Sequence, residues 1–245
     1  MSAKRPSPVL PNAMPWPIFE KLRDKRVVLA SGSPRRKDIL ENVGFRPEII
    51  PSTFAEDLPK GSFDKLSDYP IATAGEKVYI LAGFSELTSG DGGLRAPDSR
   101  ERCGPRRHPD TVVIFPPEKD TAEGGKYHGE HSEILEKPIN KEEQLRALDL
   151  MAGRECEVVT AVCVGESFYP HSQLTSVYPT VESPGFKLQS ISVSTIVHFF
   201  DYPKNVIQAY IDNGEGIDRA GGFAIQGLGG LLIEKIDGSY DNCVG

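Results

Sequence analysis

The chain has 245 residues, 38% hydrophobic and 26% charged, with a formal net charge of −7. That length holds one large domain or two small ones with a sizeable core, and the composition excludes a wholly disordered chain. The acidic balance argues against a nucleic-acid polymer or a membrane surface as partner, since both call for a basic field. No window nears the ~18–20 apolar residues that span a bilayer. The first 17 residues lack the apolar run of a secretory signal. Cys103, Cys156, Cys163 and Cys243 form no CxxC pair. Reduced thiols and a cytoplasmic location, with the nucleus as the other option, are therefore expected.

In chain order, residues 1–24 read as a Pro-rich tail and residues 25–245 as the folded domain. Arg26-Val-Val-Leu-Ala30 suits a buried parallel strand. Ile39, Leu40 and Val43 then fall at helical spacing, with Gly44 as the stop, and Pro47–Pro51 gives a second strand. Strand, helix and strand in this order open an α/β architecture. Residues 70–83 predict a helix. Inserts are expected near 88–109, 117–132 and 165–187, the first two mobile, because glycine, proline and charge replace apolar periodicity there. Between them Asp110–Phe115 reads as a strand, with Ile134–Pro138 returning from a hairpin tip. Asn140 with Glu143 forms a capping-box pattern; Leu145, Leu148 and Met151 line one helix face, and Gly153 ends the helix. Val158–Val164 and Ser190–Phe199 read as strands, the latter with Ile191, Val193 and Thr195 on one side. Pro203 to Gly214 bounds a last long helix with Ile207, Tyr210 and Ile211 inward, and Gly230–Ile236 is the last strand.

Four stretches could carry chemistry. In Ser31-Gly-Ser-Pro-Arg-Arg36 a strand ends in a small-residue turn, with Ser33 placed to cap a helix that begins at Pro34. The free N–H groups and positive dipole of that helix, with two forked cations, would make an anion site for a polyphosphate; the same pattern also describes an ordinary capped helix with two solvated arginines. Asp110, opening a strand, could hold a divalent cation or orient a water, or simply cap a loop. Lys137, fixed by Pro138, could neutralise phosphate charge or lie in solvent. In Gly221–Gly230 the glycines would let the backbone approach a ligand, and Gln226 could read a base edge; a plain turn has the same composition.

Taken together and in this order, the motifs are specific. Leu29-Ala-Ser-Gly-Ser-Pro-Arg-Arg36, Pro51-Ser-Thr-Phe-Ala-Glu56, Asp110-Thr-Val-Val113, Leu135-Glu-Lys-Pro138, Gly153-Arg-Glu-Cys-Glu-Val158 and Ala224-Ile-Gln-Gly-Leu-Gly-Gly230 resemble the Maf family over roughly residues 26–245. The resemblance implies an α/β fold with a mixed, elongated sheet flanked by helices and a deep cleft between two lobes, similar to the inosine triphosphate pyrophosphatases. It implies hydrolysis of a nucleoside triphosphate to the monophosphate and pyrophosphate, a house-cleaning role, and a divalent metal (Mg, Mn or Co). Ser33, Arg35 and Arg36 match the phosphate loop, Glu56 and Asp110 the metal or water partners, and Lys77 and Lys137 the catalytic lysines. Asp110 also matches the proton acceptor. Arg35, Thr111 and Gln226 match the positions that mark the branch preferring dTTP and UTP. A homodimer is kept open as a partner, since neither composition nor motif sets the oligomeric state. The alternative is a weakly active or inactive nucleotide-binding regulator linked to arrest of cell division.

Overall fold

A computed structural model of the protein describes residues 6–54, 58–81, 111–115, 132–167, 180–183 and 186–245. The chain divides into two compact units, residues 1–54 with Gly245 and residues 55–244.

The first unit is built on a small apolar core of Val9, Phe19 and Phe45, with Ala13, Leu22, Val27 and Leu40 packed against it. Helix α1, Pro17–Leu22, starts on a proline whose fixed φ suits the first helical position. Its Phe19 stacks on Phe45 with ring centroids 6.0 Å apart. The stretch read as a tail is therefore part of this unit from residue 6 onward. Leu10 N–H donates to the Gly44 carbonyl at 2.9 Å and Arg46 N–H to the Pro8 carbonyl at 2.7 Å. Proline withholds a donor but leaves its carbonyl and its neighbours free to pair, so a Pro-rich segment can still dock. Strands β1, Val28–Leu29, and β2, Glu48–Ile49, pair in parallel, with α2, Pro34–Asn42, between them in the chain. The order is the expected one, but β1 is only half-buried and β2 exposed, because this two-stranded sheet has little core to cover. Gly44, at φ +85°, ends the α2 segment where a Cβ would lie 2.4 Å from the Ala13 Cα.

The second unit is a six-stranded antiparallel sheet in the order β4-β3-β5-β7-β6, with β8 also paired to β7. The strands are β3, Thr111–Phe115; β4, Glu133–Leu135; β5, Glu155–Ser167; β6, Thr180–Ser183; β7, Phe186–Phe199; and β8, Ile233–Asp237. Side chains alternate across the sheet. Val112, Ile114 and Val159 face one way and form a core with Ile134 and with Tyr69 of α3, Asp68–Leu81. Val113, Phe115, Val158, Val197 and Phe199 face the other way, against α4, Lys141–Met151, and α5, Lys204–Asn213. A short helix α6, Tyr240–Val244, follows β8.

Three expectations change here. Residues 165–187 are not wholly irregular: β5 and β7 pair continuously from Glu155↔His198 to Ser167↔Phe186, and β6 joins the far end. Backbone pairing does not need apolar periodicity, so a polar, glycine-bearing stretch conceals it. On α4, Leu145 is exposed and Gln144 is fully buried, so the inward stripe is Gln144, Ala147, Leu148 and Met151. Gln144 can sit inward because its Nε2 donates to the Gly222 carbonyl at 3.0 Å. The last strand starts at Ile233, since Leu228–Leu232 winds into a 3₁₀ turn. The inserts expected at 88–109 and over most of 117–132 lie outside the described residues.

Candidate active site

In the first unit, β1 leads through Ala30–Ser33 into α2. Ser31 is buried, and its Oγ accepts from the Ser33 N–H and from Arg36 Nη1, both at 3.3 Å. Ser33 occupies the N-cap position with extended backbone angles, but its side chain makes no cap hydrogen bond. The turn is thus tied by Ser31, and capping by the Ser33 hydroxyl, the natural sequence expectation, is not observed. Pro34 has no N–H to satisfy, and the first turn of α2 contains no acidic residue. Arg35 and Arg36 are half-buried there. A helix N-terminus attracts anions through its free N–H groups and dipole. With two guanidinium forks and no competing carboxylate in that turn, this stretch suits a phosphate group.

In the second unit, the four other described candidates sit on four different elements. Lys77 lies on the inward face of α3 and is 3% exposed. A lysine is rarely that deep without a task or a partner. Lys137, after β4, is also buried, with Nζ 3.5 Å from Asp218 Oδ1. Backbone bonds strap this Lys-Pro turn to the 218–222 turn: Gly221 N–H donates to the Glu136 carbonyl at 3.2 Å, and Glu136 in turn pairs with Lys60 at 3.1 Å. Asp218 holds φ +60°, a left-handed conformation uncommon outside glycine.

Thr111 opens β3 on the face opposite α3. Its Oγ1 is 3.1 Å from Thr160 Oγ1, which donates to the Asn242 carbonyl of α6 at 3.2 Å. Asn242 Nδ2 donates to the Val158 carbonyl at 3.0 Å and to Thr195 Oγ1 at 2.9 Å. The Thr111 hydroxyl is therefore backed by a chain of hydrogen bonds that ends in the C-terminal helix.

Gln226 is exposed at the tip of the 224–229 loop. The glycines around it take part in the internal packing of the loop. Glu215 Oε1 accepts from the Leu228 N–H at 3.1 Å, and Oε2 accepts from the Gly229 N–H at 2.9 Å and the Tyr210 hydroxyl at 3.1 Å. That hydroxyl accepts from the Ala224 N–H at 3.1 Å. A Cβ on Gly227 would lie 1.9 Å from Glu215 Oε1, and one on Gly229 would lie 2.8 Å from the Tyr210 oxygen. These glycines make room for the half-buried Glu215 carboxylate. Burial pushes the Glu215 carboxyl up, but the two backbone N–H groups and the Tyr210 hydroxyl outweigh it and hold the group below its ordinary value.

Glu56 and Asp110 lie outside the described residues. Among the described residues no cluster of three or more His, Cys, Asp or Glu could hold a metal ion. Sequence reasoning missed Ser31, Tyr210, Glu215 and Asn242 as organisers. Glu215 carried one signal, a carboxylate directly after the helix-ending Gly214; Tyr210 was hidden in an apolar stripe, and Asn242 carried no signal at all.

A human protein named "Probable bifunctional dTTP/UTP pyrophosphatase/methyltransferase protein" is 36% identical over 229 residues, which cover 94% of this chain; the chain spans only 31% of that protein's length. A Schizosaccharomyces pombe "dTTP/UTP pyrophosphatase" is 32% identical over 93% of this chain and 81% of its own length. A Deinococcus radiodurans protein of the same name is 31% identical over 90% and 86% respectively. The model of one family, described as Maf-like protein, matches residues 26–245, a span that takes in the 31–36 turn, Lys77, Lys137, Thr111 and the Gln226 loop. The chain belongs to the Maf family.

Proposed function

We propose that the chain is a nucleoside triphosphate pyrophosphatase, cleaving dTTP and UTP, or modified pyrimidine nucleotides, to the monophosphate and pyrophosphate. The observation that carries this reading is its likeness, over nine-tenths of the chain, to proteins named dTTP/UTP pyrophosphatase. The geometry supports it. Arg35, Arg36 and the start of α2 suit the phosphates, the buried Lys77 and Lys137 supply positive charge, and Gln226 presents paired donor and acceptor groups to a base. Asp110 takes a proton from the attacking water, which adds to the α-phosphorus as pyrophosphate leaves. Positioning and charge neutralisation supply most of the rate.

A divalent cation, Mg, Mn or Co, belongs to the same reading. Glu56 and Asp110 are hard oxygen donors of the kind such ions take. When bound, the ion would neutralise phosphate charge. Kinship with the inosine triphosphate pyrophosphatase fold also belongs here, supported by the mixed α/β make-up. So do work in the cytoplasm and pairing of two copies. Val162 and Val164 of β5 and Ile191 and Val193 of β7 form an exposed apolar face that favours association.

The reading is tested by incubating the purified chain with UTP in ¹⁸O-water, with each metal in turn. Label in UMP, with unlabelled pyrophosphate as the other product, is expected. UDP and labelled phosphate would overturn it.

A further inference from the structure

Gln226 is an exposed side chain on a short glycine-bearing loop, and such a loop left to itself would carry it in many positions. The structure restrains the loop at both ends. Before the tip, Ala224 N–H is bonded to the Tyr210 hydroxyl; beyond it, Leu228 and Gly229 N–H groups are bonded to Glu215. The two anchors are one unit, because the Tyr210 hydroxyl donates to Glu215 Oε2. The tip is closed by the Gly227 N–H bonded to the Ala224 carbonyl at 3.1 Å. Tyr210 is buried on α5, and Gly214, in the left-handed conformation at φ +83°, ends that helix and turns the chain so that Glu215 comes back over Tyr210. A packed helix end thus holds a carboxylate, and the carboxylate holds the two arms of the loop. Gln226 lies between them, at the exposed apex.

We propose that Glu215, braced by Tyr210, is a positioning residue for base selection: it fixes the 224–229 loop so that the Gln226 amide meets the edge of a pyrimidine base. This rests on Gln226 reading the base, as proposed above. A hydrogen-bonding amide discriminates between bases only when its donor and acceptor are aimed. A side chain on a wandering loop loses that discrimination, while phosphate binding, carried by other residues, persists. A charged acceptor suits the task, since its bonds to N–H groups are shorter and stronger than those of a neutral amide.

The test uses the full chain and compares kcat/KM for dTTP with that for dGTP in the wild type, Gln226→Ala, Glu215→Gln, Tyr210→Phe and the Glu215→Gln/Gln226→Ala double variant. Melting temperatures are recorded alongside. The dTTP-to-dGTP ratio should fall by about tenfold in Glu215→Gln, the factor set by losing the charge on one acceptor, while dGTP turnover changes less than about twofold. The double variant should be no less selective than Gln226→Ala alone, because both changes remove one function. Tyr210→Phe keeps the packed ring and should shift the ratio in the same direction, which serves if Glu215→Gln does not fold. A ratio lost in Gln226→Ala but kept in Glu215→Gln and Tyr210→Phe would overturn the positioning role and leave base reading by Gln226 standing. An equal fall for both nucleotides would make Glu215 a purely structural residue and overturn the proposal likewise. Selectivity kept in Gln226→Ala itself would overturn both.

Discussion

Arg36 is held by the Ser31 hydroxyl at the end of β1, and Arg35 sits beside it at a helix start without a carboxylate. Either Arg35→Ala or Arg36→Ala should weaken triphosphate binding by about 1.5–3 kcal/mol, the scale of a hydrogen bond to a charged group, and monophosphate binding by less. Calorimetry reads both values; unchanged triphosphate affinity in both variants would remove phosphate binding from this loop. Glu215 sets a second expectation at this scale. Its folded value lies below the ordinary 4.5, so the stability it contributes is complete above about pH 4.5 and is lost as pH falls through the lower folded value. The gap in melting temperature between wild type and Glu215→Gln should hold steady above pH 5 and narrow below 4.5; a gap independent of pH would mean the carboxylate is not the loop's anchor. At this scale the arginines were legible from the sequence because their residue types and spacing carry the chemistry. Ser31, Glu215 and Tyr210 were not, because a hydrogen bond across a loop leaves no trace in spacing.

Elements whose signals are local are legible in the sequence. The cap of α4 is present as expected, the Glu143 N–H donating to Asn140 Oδ1 at 2.8 Å, but the return bond of the box is shifted by one residue: Glu143 Oε2 accepts from the Ile139 N–H at 3.0 Å rather than from Asn140. Replacing the cap, Asn140→Ala, should cost about 1 kcal/mol in urea unfolding. No loss would mean that the last turns of α4 and its packing alone hold the helix. The stops at Gly44 and Gly214, both in the left-handed region, were equally legible. Elements defined by distant partners carry no such local signal. Nothing near Gln144 predicts that Gly222, 78 residues away, supplies its hydrogen-bond acceptor. The full length of β5 and β7 depends on their pairing, and the placement of α6 depends on Asn242 reaching β5 and β7.

For the whole molecule, the mixed α/β class was legible, and so was the family, because six short motifs recur in a fixed order. The boundary of the two units at residue 54 was not, nor the docking of residues 6–24, since a proline-rich segment lacks the periodicity that marks a packed element. Cleavage of pyrimidine triphosphates by this chain is put to the test at Asp110. Asp110→Asn keeps the shape and removes the charge, and loss of a general base costs about 10²–10⁴-fold in rate. The measurement is pyrophosphate release from dTTP and UTP by both proteins, with nucleotide binding followed in parallel. Release by the wild type is expected, together with a variant that binds nucleotide but turns over at least about a hundredfold more slowly. Equal, near-zero release by both, with nucleotide still bound, would contradict it.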